Sequence, residues 1–189
     1  MDELLIFFMI ILTVFLLIGR VKRSEEVDIK ISQIDGRKYI VRKQKDSQLA
    51  ADRLAQVNQN VLKLIESLNS TERNGIDDLK NKYNPDALSE TGHDAEYTSY
   101  SVNKGEKISL CIRSKDDNLS DMNTTMFVMI HELAHVMTHE VGHTKLFWDN
   151  MKFLLEQGEK TGVYRPINYK DTPQNYCGME INTTPYKFN

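Results

Sequence analysis

Residues 131–135 read His131-Glu132-Leu133-Ala134-His135, and they follow the apolar run Met126-Phe127-Val128-Met129-Ile130. An apolar run leading into two histidines four positions apart predicts a helix with one face in a protein core. On a helix, positions i and i+4 stack on the same side. Both imidazoles can therefore bring a ring nitrogen to about 2.0–2.1 Å from a single zinc ion. Glu132 stands beside them, where a carboxylate can hold a zinc-bound water and take its proton. Zinc lowers the pKa of such a water toward about 7, making hydroxide available at neutral pH. His131 and His135 are thus expected as metal ligands and Glu132 as the catalytic base.

Four of the five histidines fall between His131 and His143, and helical geometry separates their roles. A catalytic zinc takes three protein ligands and keeps a fourth position open. His139, eight residues after His131, would stand about 12 Å further along an unbroken helix. That is too far to share the ion, so His139 is read as a bystander. Gly142 can end the helix with a left-handed turn and let the chain fold back, which makes His143 the expected third ligand. Further on, Leu146, Phe147, Met151, Leu154 and Leu155 form the apolar stripe of a second helix, with Trp148 and Phe153 beside it. Attack of such a hydroxide on a carbonyl also needs a group that stabilises the oxyanion. Tyr164 is the candidate, from a segment that also holds Arg165, Tyr169 and Tyr176; a structural role is the simpler reading of each. His93 sits in a polar loop.

Composition bounds the rest. A chain of 189 residues allows one compact domain with an appendage. With 24 basic and 27 acidic side chains the net charge is -3, which argues against a broadly basic nucleic-acid binder. Cys111 and Cys177 are too few for a disulfide-built scaffold. Cys177 reads as a buried structural cysteine, the alternative being a thiolate that blocks the zinc, and Cys111 alternates with Leu110 and Ile112 in a strand.

Residues 4–18 are apolar except for Thr13 and show no polar face, as a single-pass membrane anchor would. Asp2 and Glu3 precede the run, while Arg20, Lys22 and Arg23 follow it. Basic residues on the C-terminal flank predict a short outer tail and a cytosolic domain, with both cysteines reduced. The sequons at Asn69, Asn118, Asn123 and Asn182 would then be unused. Residues 20–46 carry nine Lys/Arg against five Asp/Glu, an excess that fits an anionic leaflet or an ordinary solvated face.

The expected organisation is an outer tail (1–3), an anchor (4–21), a juxtamembrane basic segment with a strand hairpin (22–46) and a metallopeptidase-like domain (47–189). Val27, Ile29 and Ile31 alternate with charged residues, and Asp35-Gly36 supplies a hairpin turn before Tyr39-Ile40-Val41. Apolar residues from Leu49 to Leu68 recur at helical spacing, and Asp46 or Ser47 can cap that helix. A short helix is expected over 76–83. Segments 97–102 and 107–113, separated by Asn103-Lys104-Gly105-Glu106, read as a second hairpin. The class is α+β, helices packed on a short, mostly antiparallel sheet, preceded by one transmembrane helix.

Three features together resemble the WLM and SprT-like zinc metalloproteases: His131-Glu132-x-x-His135, the Gly142-His143 step, and Phe147 four residues later. The hairpin at Lys104-Gly105-Glu106 with residues 108–112, and Tyr176-Cys177-Gly178, fit as well. The likeness covers roughly residues 95–180 and is nearest to WLM-like proteins of large DNA viruses. The gap from His135 to His143 is longer than in many members. The resemblance implies a small zincin fold of the gluzincin type, a Zn2+ cofactor and a protein or peptide substrate. It also implies a strand beside the active-site helix that pairs with an extended peptide, for which residues 108–112 are the candidate. Cellular members cleave proteins crosslinked to DNA, but the near-neutral chain after the apolar segment does not suggest that role. The leading expectation is a membrane-anchored zinc metallopeptidase. The alternatives are a noncatalytic zinc-stabilised interaction module and a nonenzymatic viral membrane component. Oligomeric state is not specified by the sequence.

Overall fold

Periodicity translates into elements along most of the chain. The computed structural model describes residues 2–188 except 94, 96, 97 and 115, and leaves the side chains of 2–4 and 17–25 outside that description. Helix α1 (Asp2–Glu26) leads into an antiparallel hairpin of β1 (Val27–Ile31) and β2 (Lys38–Arg42). Then come α2 (Ser47–Ser67), α3 (Ile76–Lys82) and β3 (Leu88–Glu90). The second hairpin, β4 (Tyr100–Val102) and β5 (Lys107–Leu110), precedes α4 (Met122–Met137) and α5 (Lys145–Thr161). A last hairpin, β6 (Gln174–Tyr176) and β7 (Met179–Ile181), follows.

The α+β class holds, and the core lies between α2, α4 and α5 and the short sheet. Leu54, Val57, Val61 and Leu64 of α2 meet Ile130, Leu133 and Ala134 of α4 and Met151, Leu154 and Leu155 of α5 in one buried cluster. Tyr39 and Val41 of β2 belong to the same cluster, so the first hairpin is built into the globular body. Two residues of the predicted stripes, Leu49 and Leu146, face outward instead.

The transmembrane segment is corrected. Among the described residues, no helix is long and apolar enough to cross a membrane. The apolar run covers only residues 4–18; at about 1.5 Å per residue it reaches about 22 Å, short of the hydrocarbon core of about 30 Å. Charged residues follow it within the same helix, from Arg20 to Glu26. The predicted single-pass localisation, with its outer N-terminus and cytosolic domain, falls with the span. The flanking Arg20, Lys22 and Arg23, which set that orientation, have side chains outside the described residues.

Two further expectations change. Cys111 and Cys177 form a disulfide with Cα atoms 6.3 Å apart, rather than two separate reduced thiols. It ties the residue after β5 to the turn between β6 and β7. The sheet order is β3-β5-β4, with β5 parallel to β3 and antiparallel to β4. Residues 108–112 therefore start in a central strand, both edges of which are taken, and cannot pair with a substrate. The edge strands are β3 and β4, and it is β4 that borders the histidines.

The α3–α4 junction admits no side chain at one position. Gly75 has φ +90°, and a Cβ there would lie 2.1 Å from the Met137 carbonyl oxygen at the end of α4. Only glycine combines that conformation with so close an approach.

Candidate metal centre

Helix α4 starts at Asp121, whose carboxylate accepts from the backbone N–H of Thr124 at 2.9 Å, a standard way to satisfy a free N-terminal donor. From there Met126, Met129, Ile130, Leu133 and Ala134 are buried, which rotates His131 and His135 to the helix's remaining face. Their ring centroids are 4.9 Å apart. The helix stops at Met137, with Thr138 already extended, several residues earlier than a stop at Gly142 would have it. Gly142 does adopt the left-handed conformation, φ +84°, but within the return loop. That loop brings His143 back, and its Nε2 lies 3.1 Å from Nε2 of His131. One ligand atom from each of His131, His135 and His143 lies within 4.8 Å of the others.

Phe147, fully buried on α5, packs against all three rings at centroid distances of 4.9, 4.3 and 4.7 Å. Thr144 caps α5 by accepting from the Phe147 N–H at 3.3 Å, so the same turn sets both His143 and Phe147. Trp148 lies 5.4 Å from the His143 ring. Burial, with His135 and His143 alongside, pulls the His131 imidazole down to about 3. Burial, then His143 and Lys104, pulls His135 down to about 4. Both rings are neutral at pH 7, with lone pairs available. Burial alone raises the neighbouring Glu132 carboxyl to about 7, near the pH at which a general base works best.

The other named residues sit elsewhere. His139 lies past the end of α4, largely exposed, with Nε2 3.1 Å from an Asp78 carboxylate oxygen. It stays apart because the helix has ended, not because an unbroken helix carries it away. Tyr164 is buried beside Phe127, their ring centroids 6.1 Å apart, and its hydroxyl accepts from the Ile167 N–H at 3.4 Å. It is not among the residues lining the histidine cleft.

Sequence reasoning missed Lys104. The turn Asn103-Lys104-Gly105 has three positive φ angles, 48°, 52° and 105°, and it aims the Lys104 ammonium at the end of α4. There it donates to the carbonyls of Thr138, His139 and Glu140. A cation on these free carbonyls is favourable in both hydrogen bonding and dipole terms. Asn150 of α5 adds a bond from its Nδ2 to the Thr138 hydroxyl at 2.9 Å. Together they hold the loop that delivers His143. No local signal marks Lys104, because its partners begin 34 residues away. Were the three histidines to hold zinc, Lys104→Met should weaken its binding by about 10- to 100-fold, the usual cost of losing support behind a ligand. Competition with a chromophoric chelator measures this, and unchanged affinity would show the loop holds without the lysine.

The three histidines open onto a cleft of about 490 Å³, lined by Ser99, by Tyr100 and Ser101 of β4, and by Glu140 and Val141. Residues 36–184 match the model of the WLM domain. The chain belongs to the WLM domain family. This agrees with the likeness carried by the Gly142-His143 step and Phe147. An uncharacterized protein of Acanthamoeba polyphaga mimivirus is 33% identical over 168 residues, covering 85% of each chain. Uncharacterized proteins of Invertebrate iridescent viruses 6 and 3 are each 40% identical over 82 residues, spanning 42% and 43% of this chain and 44% and 50% of their own. No solved structure matches. The WLM domain is associated with zincin-like peptidases, and the His131-Glu132-x-x-His135 element lies well inside the matched region.

Proposed function

We propose that this WLM chain is a zinc-dependent metallopeptidase in which His131, His135 and His143 hold the ion and Glu132 is the general base. The observation that carries the reading is the combination of three converging imidazoles with a buried carboxylate that lines the same cleft. The donor set fits zinc: three nitrogen ligands leave a position open for chemistry, and the depressed His131 and His135 keep those nitrogens unprotonated. When bound, zinc supplies Lewis acidity that polarises a substrate carbonyl and acidifies water.

The chain's own residues do the remaining work. Glu132 takes the proton of the attacking water at its carboxylate and returns it to the leaving amine. Phe147 packs beneath the imidazoles, fixing their orientation and keeping water from behind the site. Strand β4 runs along the cleft through Tyr100 and Ser101, and its outer edge has no partner strand among the described residues. An extended peptide can add there by main-chain hydrogen bonds, which points to an unfolded or flexible protein segment as substrate.

The test is metal dependence. The zinc-loaded chain, incubated with a mixture of peptides, should generate new termini detected by mass spectrometry. A strong chelator should abolish them and added zinc restore them. Cleavage that survives complete chelation would remove the metal from the reaction.

A further inference from the structure

On its other side the histidine site continues into a second cavity, of about 420 Å³, which shares His131, Glu132 and His143 with the cleft. Its character is different. The first cavity presents Asn103, Lys104 and Glu140. The second is walled by Phe127 and Val128 of α4 and by Tyr176, Met179 and Ile181 of the β6–β7 hairpin. Among the described residues, Glu132 and the two shared histidines are its only ionisable groups apart from the Tyr176 phenol. That phenol is already engaged, donating to the Cys111 carbonyl and lying 3.2 Å from the Ser99 hydroxyl.

Met179 marks the mouth. Half of its surface is exposed, and the Thr98 hydroxyl contacts its sulfur at 3.5 Å. A half-exposed thioether is a soft, adaptable wall for an apolar group. The Cys111–Cys177 disulfide anchors the turn beside it to the end of β5, so this wall is tied to the central strand of the sheet. An apolar hollow adjoining a hydrolytic centre has a natural occupant, a side chain of the substrate next to the bond that is cut.

We propose that this cavity is a specificity pocket for a large apolar side chain, of the leucine, methionine or phenylalanine class, beside the scissile bond. The proposal rests on the metallopeptidase reading and names the substrate class of that site. Burying such a side chain against apolar walls, where a charged one would lose its hydration, discriminates by about 10- to 100-fold.

Hydroxamates of leucine, phenylalanine, glycine and aspartate are suitable probes, because the shared metal-binding group leaves the side chain as the variable. Binding to the zinc-loaded 189-residue chain is measured by titration calorimetry, independently of turnover. The leucine and phenylalanine probes should bind about 10- to 100-fold tighter than the glycine and aspartate probes. Met179→Lys, an exposed position the fold tolerates, should reduce that preference to within about threefold by placing a charge at the mouth. Four probes of equal affinity would overturn the pocket while leaving the metal reading intact. A preference unchanged by Met179→Lys would overturn it too, since the side chain would then seat elsewhere. Binding of none would remove the metal reading, and the pocket with it.

Discussion

Glu132→Gln should leave zinc bound and the fold unchanged while lowering kcat/KM for peptide hydrolysis by about 10²–10⁴-fold. Glutamine has nearly the same shape as glutamate but cannot accept the water's proton. Glu132 is 5% exposed, so the substitution also exchanges a buried acid for a neutral amide at little structural cost. The loss should fall on kcat, with KM little changed, because the carboxylate acts in the transition state rather than in substrate binding. Steady-state kinetics on any peptide the wild type cleaves, with metal content measured on the same samples, makes the comparison. Equal rates in the two proteins would eliminate Glu132 as the base. Loss of zinc together with activity would instead assign it to holding the site.

Arg113→Met should destabilise the fold by about 3–5 kcal/mol. Arg113 is fully buried, and its Nε lies 2.8 Å from a carboxylate oxygen of Glu90, whose side chain is also fully buried. Its Nη1 reaches Asp46 at 2.7 Å and donates to the Asp117 carbonyl at 2.9 Å. Removing the guanidinium leaves the buried Glu90 carboxylate with the Arg42 N–H and the more distant Arg42 guanidinium at 3.7 Å, so it loses its closest countercharge. The arginine also sets a pH dependence. Its hydrogen bond holds the Asp46 carboxyl below the ordinary range. Such a group stabilises the fold fully above its unfolded pKa of about 3.9, and that contribution is lost as pH falls through the folded value. The deficit of Arg113→Met should therefore be largest near neutrality and shrink below about pH 4. Urea denaturation at pH 7 and pH 3.5 measures both, and a deficit below about 1 kcal/mol at pH 7 would show that the network is dispensable.

Features governed by neighbours in the chain were legible in the sequence. The two-residue alternation of Val27, Ile29 and Ile31 became β1, and the helical spacing from Leu54 to Ile65 became the buried face of α2. The spacing of His131 and His135 placed both on one helix face, and the Gly142-His143 step pointed to the return loop. What escaped was non-local. Cys111 and Cys177 are separated by 66 positions, and nothing in either local stretch names the other. The place of β5 in the middle of its sheet depends on β3, which arrives from across a loop. Asp46, read as a helix cap, makes no side-chain cap bond and turns to Arg113 instead, because a buried guanidinium offers a stronger partner than an N-terminal amide. The apolar N-terminal run was over-read. Absence of a polar face describes a helix's surroundings, whereas crossing a bilayer also requires length.

The link from histidine geometry to chemistry is tested most directly by the zinc content of the purified 189-residue chain after equilibration with buffered zinc. Emission spectrometry should find about one zinc per chain, as expected for three nitrogen ligands with an open fourth position. His131→Ala and His135→Ala should each abolish that stoichiometry, and His143→Ala should weaken binding sharply. A properly folded wild type without stoichiometric zinc, or zinc content indifferent to all three substitutions, would contradict the metal centre and the hydrolytic function built on it.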